Sequence, residues 1–188
     1  MKPIPETMSD HIELSTPRLI LRHWRQEDAP VLYSLAGDPE IGNMAGWKPH
    51  DSIEESRSII DTVFSDPGVF AIVSRISNTP IGCIGLNRDP KILRKGPRDA
   101  EVGYWIGRRY WGQGFASEAL EAILAYGFST GVTKVWGQCM EDNVRSLNLM
   151  RRYGFTVDHR GVFENPYLGE VVTVVLCLSR KQWTSNRS

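Results

Sequence analysis

The chain of 188 residues is short of the features that usually announce a metal, an oxidising compartment or a polyanionic partner. Its three cysteines, Cys83, Cys139 and Cys177, are odd in number and widely spaced, and each sits in an apolar, strand-like run. Reduced, buried thiols are expected rather than a disulfide frame, and no Cys or His falls at zinc spacing, so no metal is expected. Basic and acidic residues balance at 22 each, which speaks against direct nucleic-acid contact and against a membrane-surface role. No stretch approaches the roughly 18 apolar residues of a membrane span. The opening residues Met1 to Thr7 lack the apolar core of a signal peptide. The expectation is a cytoplasmic protein, monomer or homodimer, with one domain over 1–188 and a core over about 15–180.

What the chain does have is a glycine-bearing loop, Arg109-Tyr110-Trp111-Gly112-Gln113-Gly114-Phe115-Ala116, between a strand-like run (Val102 to Ile106) and a helical one (Ser117 to Phe128). Backbone N–H groups at the start of such a helix are unpaired and point one way. With the positive end of the helix dipole behind them they form a phosphate seat. Gly112 and Gly114 allow close backbone approach, and Ala116 keeps the helix start slim. A P-loop is excluded, since no Gly-Lys-Ser/Thr follows. A dinucleotide fingerprint is opposed by Ser117 at the third glycine position, and by the absence of an acid in the next strand-like run, Lys134 to Met140.

Periodicity organises the rest. Arg18 to Trp24 reads as a strand, Gln26 to Ala36 as a short helix, and Gly37 to Pro49 as a loop. Asp51 or Ser52 caps a helix whose Ile53, Ile59, Ile60, Val63 and Phe64 share a face. Val69 to Ser74 and Ile81 to Leu86 form a hairpin, and a basic loop follows with Lys91, Arg94, Lys95 and Arg98. Ala116, Ala119, Leu120, Ile123, Leu124 and Phe128 make a helical stripe. Val135 to Met140 is a strand, Val144 to Tyr153 a helix, and Phe155 to Val162 with Val171 to Leu178 a second hairpin. Strands in blocks between helices imply an α+β class with a mixed sheet.

The loop fits Arg/Gln-x-x-Gly-x-Gly/Ala through Arg109, Gly112 and Gly114, and so resembles the acyl-CoA pyrophosphate loop of the GNAT superfamily of N-acetyltransferases. Glu101-Val102-Gly103-Tyr104-Trp105-Ile106-Gly107 resembles the fourth strand of the RimJ/RimL-type enzymes. Asn143-Val144-Arg145-Ser146, running to Arg152-Tyr153-Gly154-Phe155, resembles their Asn-x-x-Ser helix, and Thr16 to Arg22 with Glu27-Asp28-Ala29 resembles their first strand and helix. The resemblance implies the GNAT fold, a mixed, mostly antiparallel central sheet flanked by helices and splayed between its fourth and fifth strands. It implies acetyl-CoA as cosubstrate, held by Arg109, Gly112, Gln113, Gly114, Phe115, Ala116 and Ser117, with Asn143 on the pantetheine and Arg152 toward the phosphates. It also implies an oxyanion contact from a backbone N–H at Trp105 or Ile106, at a local bulge that Gly107 would ease.

Acetyl transfer from a thioester to an amine needs a base, a hydrogen bond to the carbonyl oxygen and a leaving thiolate. Many GNAT enzymes carry an acidic tyrosine at the position of Met150 here. Ser146, three residues after Asn143 on the same helix face, is the substitute. Glu101 is the first candidate base, sharing a strand face with Gly103 and Trp105, and Glu164 is the second. An α-amine, with a pKa near about 8, needs little base. Trp47 is a candidate for the acceptor pocket or a plain packing residue, His50 a candidate for substrate contact or a helix-start histidine that stabilises its own turn, and Cys139 is read as a packing residue rather than a nucleophile. The acceptor expected is a primary amine, a protein N-terminus of ribosomal-protein type, transferred to directly in a ternary complex. The alternatives are a small amine (polyamine, amino acid or aminoglycoside) or a non-catalytic acyl-CoA sensor.

Overall fold

The structure, a computed structural model, describes residues 12–88, 93 and 96–185. Its strands are β1 (Leu14–Ser15), β2 (Leu19–Arg22), β3 (Val69–Ser74), β4 (Thr79–Asn87), β5 (Asp99–Ile106), β6 (Lys134–Met140), β7 (Thr156–Asn165) and β8 (Gly169–Ser179). The helices are α1 (Ala29–Ala36), α2 (Pro39–Ala45), α3 (Ile53–Thr62), α4 (Phe115–Ser129), α5 (Val144–Arg152) and α6 (Arg180–Ser185). One eight-stranded sheet runs β1-β2-β3-β4-β5-β6-β8-β7. Every neighbouring pair is antiparallel except β5 with β6, which is parallel. This is the mixed, mostly antiparallel α+β sheet of the GNAT fold. The short β1 moves the expected fourth and fifth strands to β5 and β6.

Strand alternation divides the core between the two faces of the sheet. On one face Val102, Ile106, Leu120, Ile123, Leu124 and Met150 belong to the larger cluster, against α4 and α5. On the other, Trp24, Ala29, Leu32, Ile60, Ala71 and Cys83 form a second cluster under α1 and α3, with Trp47, Phe64 and Trp105 packed on it. The expected α4 stripe holds, with Ala119, Leu120, Ile123, Leu124 and Phe128 all buried. Ser52 caps α3, accepting from the Glu55 N–H at 3.0 Å. Val63 ends that helix 56% exposed, outside the buried face expected for it.

The stretch 37–49 is not a plain loop. Asp38 caps a helix there, accepting from the Glu40 N–H at 3.0 Å, with Pro39 at the first helical position. Gly46 ends it in the left-handed conformation, φ 80°. Of the residues that suggested a loop, Gly46 is the stop of a seven-residue helix, Gly42 is buried inside it and Pro49 follows it. Lys91, Arg94 and Lys95 of the basic loop lie outside the described residues. Arg98 is exposed, and its carbonyl accepts from the Thr133 N–H at 2.8 Å.

Among the described residues no helix is long and apolar enough to cross a membrane, and no three His, Cys, Asp or Glu cluster as a metal site would require.

Candidate active site

The parallel ladder between β5 and β6 pairs Asp99 to Val102 with Lys134 to Gly137 and then stops. Both strands continue, to Ile106 and Met140, without pairing to each other, so the sheet opens as a V. A cleft of about 950 Å³ fills the V and reaches both faces of the sheet. α5 packs closely on β6 beside the opening: the Met150 sulfur lies 2.7 Å from where a Cβ on Gly137 would stand, so a larger residue there would have to displace the Met150 side chain.

The phase of the ladder decides which backbone groups face the opening. The Gly107 N–H donates to the Ile81 carbonyl at 2.8 Å, and β4 pairs with β5 in unbroken register from Gly82↔Ile106 to Asn87↔Glu101. Antiparallel alternation then turns the main-chain groups of Glu101, Gly103, Trp105 and Gly107 toward β4, and those of Tyr104 and Ile106 into the V. Two expectations are corrected. β5 has no bulge, because splaying alone frees its edge, and the Trp105 N–H belongs to β4. The Ile106 main chain faces the opening, its carbonyl accepting from the Trp111 indole N–H at 2.6 Å. Gly107 lies beyond the cleft wall, where a Cβ would come within 2.5 Å of Leu35.

At one end of the cleft the glycine loop opens α4. Gly112 (φ 75°) and Gly114 (φ 81°) hold left-handed conformations, and no side chain caps the helix at Gly114. The first N–H groups of α4 are thus available to a ligand, and Gly112, Gly114, Phe115, Ala116 and Ser117 line the wall. This set fits a phosphate-bearing group. Arg109 and Gln113 are off the wall. Arg109 is exposed over the Tyr110 ring at 4.8 Å, and the Gln113 side chain donates to the Arg109 carbonyl at 3.0 Å, so these two brace the loop from outside. The loop is also tied to the first strands. Arg18 donates to the Gln113 carbonyl at 2.9 Å and lies over the Phe115 ring. The Glu118 carboxylate accepts from Thr16, from the Arg18 N–H and from the Arg18 guanidinium. Arg145, stacked on Trp111 at 4.4 Å, joins Arg152 on the wall. Arg145 was missed in the sequence, although its place within Asn143-Val144-Arg145-Ser146 put it beside two candidates.

In the centre, Asn143 is the N-cap of α5. Its Oδ1 accepts from the Ser146 N–H at 3.1 Å, and its Nδ2 donates to the Met44 carbonyl at 3.4 Å. The Ser146 hydroxyl lies 3.0 Å from the Tyr104 hydroxyl. Tyr104 is the residue most clearly missed. The family position for a tyrosine holds Met150, which is buried, but β5 brings a phenol to the same neighbourhood from across the V. Burial pushes the Tyr104 phenol up to about 12, partly offset by its bond to Ser146, so at neutral pH it keeps its proton. Burial likewise pushes the Cys139 thiol up to about 11, eased by Ser146, and Cys139 on the wall is a protonated thiol rather than a nucleophile.

On the opposite face stand Glu101, Gly103 and Trp105. Glu101 is half-buried at the vertex of the V, paired with Trp136 in the ladder, and lines the cleft. Burial raises its pKa above the ordinary carboxylate value. Trp47 also lines the cleft, meeting Trp105 edge-on at 5.9 Å. His50 stands behind it, off the wall. Its Nδ1 is 2.8 Å from the Ser56 hydroxyl, and burial lowers its pKa, so it fastens the start of α3. Glu164 is corrected too. It is exposed on β7 opposite Glu170, while its neighbours Phe163 and Asn165 face the cleft. One residue of alternation turns its carboxylate away. Asn165 donates to the Gly46 carbonyl at 2.8 Å, so α2 and Gly46 are held across the mouth by Asn143 and Asn165. Arg108 pins the other end of α2 through Asp38 and Glu40.

These features agree with comparisons against known proteins. The family described as "Acetyltransferase (GNAT) domain" matches residues 18–156. The chain is 31% identical over 173 residues to a Bacillus subtilis protein named as the uncharacterised N-acetyltransferase YoaA, covering 86% of this chain and 96% of that one. It is 32% identical over 79 residues to the ribosomal-protein-serine acetyltransferase of Escherichia coli, covering 42% of each. The fold superposes on spermidine N-acetyltransferase from Vibrio cholerae, solved with CoA and spermine, with a TM-score of 0.74 at 20% identity, covering 90% of this chain and 99% of that one. With a parallel pair splayed around a cleft, an uncapped glycine-led helix at its end and a family match over most of its length, the chain belongs to the GNAT acetyltransferases.

Proposed function

We propose that this N-acetyltransferase moves the acetyl group of acetyl-CoA directly to a primary amine, a peptide or protein N-terminus in the manner of RimJ/RimL-type enzymes. The observation that carries this reading is the convergence on one V of the Ile106 N–H, the Ser146–Tyr104 hydroxyl pair and the half-buried Glu101. Acetyl-CoA supplies the activated thioester. The loop from Gly112 to Ser117, with Arg145 and Arg152, is suited to its phosphates, and Asn143 to its pantetheine arm. Glu101 takes the amine proton, and the pKa that burial raises makes it a stronger base than an ordinary carboxylate. The Ile106 N–H donates to the carbonyl oxygen as charge develops there. Ser146 gives its proton to the departing sulfur as it takes one from the Tyr104 hydroxyl beside it, and the phenol, whose burial disfavours the anion, regains its proton from solvent once the CoA thiol has left. A small amine is the second reading, supported by the fold shared with a spermidine acetyltransferase.

The test is release of free CoA thiol from acetyl-CoA over a panel of peptide N-termini, polyamines and aminoglycosides. Turnover with peptides is the expected result. Turnover confined to polyamines or aminoglycosides would replace the peptide reading with the small-amine one. Silence across the panel, with acetyl-CoA binding intact, would favour a CoA sensor.

A further inference from the structure

The acceptor side of the cleft is built around two glycines. Gly85 of β4 and Gly103 of β5 are directly paired, and both line the cleft on the face of Glu101 and Trp105. A Cβ added at Gly103 would meet no atom within 4 Å, and its φ is not in the left-handed region. Neither backbone conformation nor space for a Cβ therefore requires glycine there. A Cβ at Gly85 would make only ordinary contacts, 3.5 Å from Val69. Across this bare floor the walls are apolar, with Trp47, Trp105, Phe64 and Val69 on the lining. Among the described lining residues Glu101 is the one carboxylate, and the cations Arg145 and Arg152 stand with the phosphate-seating end.

We infer that the Gly85–Gly103 floor seats a bulky apolar side chain borne beside a single ammonium, which Glu101 meets, so that the preferred acceptor is an α-amine of leucine-like character rather than a polycation. The inference rests on the transferase reading above and narrows its acceptor. A polyamine carries several ammonium groups, and each one taken from water needs a compensating carboxylate. The described wall supplies one. An apolar group gains by leaving water for the Trp47–Trp105 corner, and an ammonium near the tryptophan faces is favoured further. A side chain of any size needs the volume that the absent Cβ at position 103 leaves open.

The experiment is calorimetric titration of the CoA-loaded protein with leucinamide, glycinamide, a tripeptide beginning with Leu, and spermidine, on the wild type and on Gly103→Val. Leucinamide or the tripeptide is expected to bind about tenfold or more tighter than glycinamide, the scale of discrimination in an apolar pocket, and tighter than spermidine. In Gly103→Val that preference should collapse while melting temperature and CoA affinity stay at wild-type values. Binding of the tripeptide alone would assign the site to peptide termini, and of leucinamide alone to free amino-acid derivatives; both support the pocket chemistry. Spermidine binding as tightly as leucinamide, an unchanged preference in Gly103→Val, or no amine binding at all would overturn it. Thiol release measured with the same amines separates the two readings: binding without turnover leaves the pocket assignment standing and removes the catalytic one.

Discussion

Replacing Glu118 with Ala should loosen the phosphate-seating loop from a distance, and the size of the effect follows from the contacts. The Glu118 carboxylate accepts from the Thr16 hydroxyl, from the Arg18 N–H at 2.8 Å and from the Arg18 Nε at 2.6 Å. The same guanidinium reaches the Gln113 carbonyl. Three hydrogen bonds to a charged group would be worth several kcal/mol if fully desolvated. The Arg18 side chain is 45% exposed, which discounts its share, and a loss of about 2 kcal/mol is expected. For a chain of this size that lowers the melting temperature by roughly 4–8 °C. Partial burial works to raise the Glu118 pKa, but the bonds from Thr16 and Arg18 outweigh it and hold the carboxyl below its ordinary value. The depressed folded-state pKa fixes the sign. The contribution is present above the unfolded value of about 4.3 and disappears as pH falls through the folded one. The gap in melting temperature between wild type and Glu118→Ala should therefore be full at neutral pH and close in acid. Because Arg18 also positions Gln113 and Phe115, acetyl-CoA affinity, read by calorimetry at pH 7, should fall with it. A variant within 1 °C of wild type and unchanged in acetyl-CoA affinity would refute the argument that this clamp holds the loop.

Other expectations concern the centre of the V. Ser146→Ala should lower kcat by about 10- to 100-fold with little change in acetyl-CoA KM, the modest end of general-acid effects because a thiol leaves readily. Tyr104→Phe should lower kcat by about tenfold, and full activity in that variant would detach the phenol from the proton path. Glu101→Gln should abolish the acidic limb of the kcat/KM profile, a limb that in the wild type lies above the ordinary carboxylate range because burial raises this pKa. The same raised value means Glu101 stabilises the fold below its unfolded pKa, and that contribution is lost as pH rises through the folded one. Gly82→Ala should destabilise by about 3 kcal/mol or more, read by urea titration, since its Cβ would fall 2.3 Å from the Trp105 carbonyl and 3.0 Å from the Ile106 backbone. The Gly103→Ala substitution on the adjacent strand should leave stability unchanged.

Short-range chemistry was legible in the sequence. The glycine-led helix start, the α4 stripe, the Ser52 cap, the strand phase that sets Glu101 and Trp105 against Tyr104, and the Asn143–Ser146 spacing all depend on residues within a few positions of each other. The family followed from those motifs, and with it the splayed sheet. The sequence misled where one local signal serves two ends. Gly37 to Pro49 read as a loop, yet Asp38, Pro39 and Gly46 bound a helix that is tied to distant Arg108, Asn143 and Asn165. Glu164 was open between two readings, and one residue of strand alternation decides there between cleft and solvent; of the two readings open for His50, its contact with Ser56 at the start of the following helix agrees with the helix-start one. Tertiary structure alone decided what meets across the V. Tyr104 and Ser146 are 42 positions apart and become partners only because β5 and β6 stop pairing at Val102 and Gly137. No local pattern encodes that separation, because it depends on how far two strands distant in the chain run together before their pairing ends.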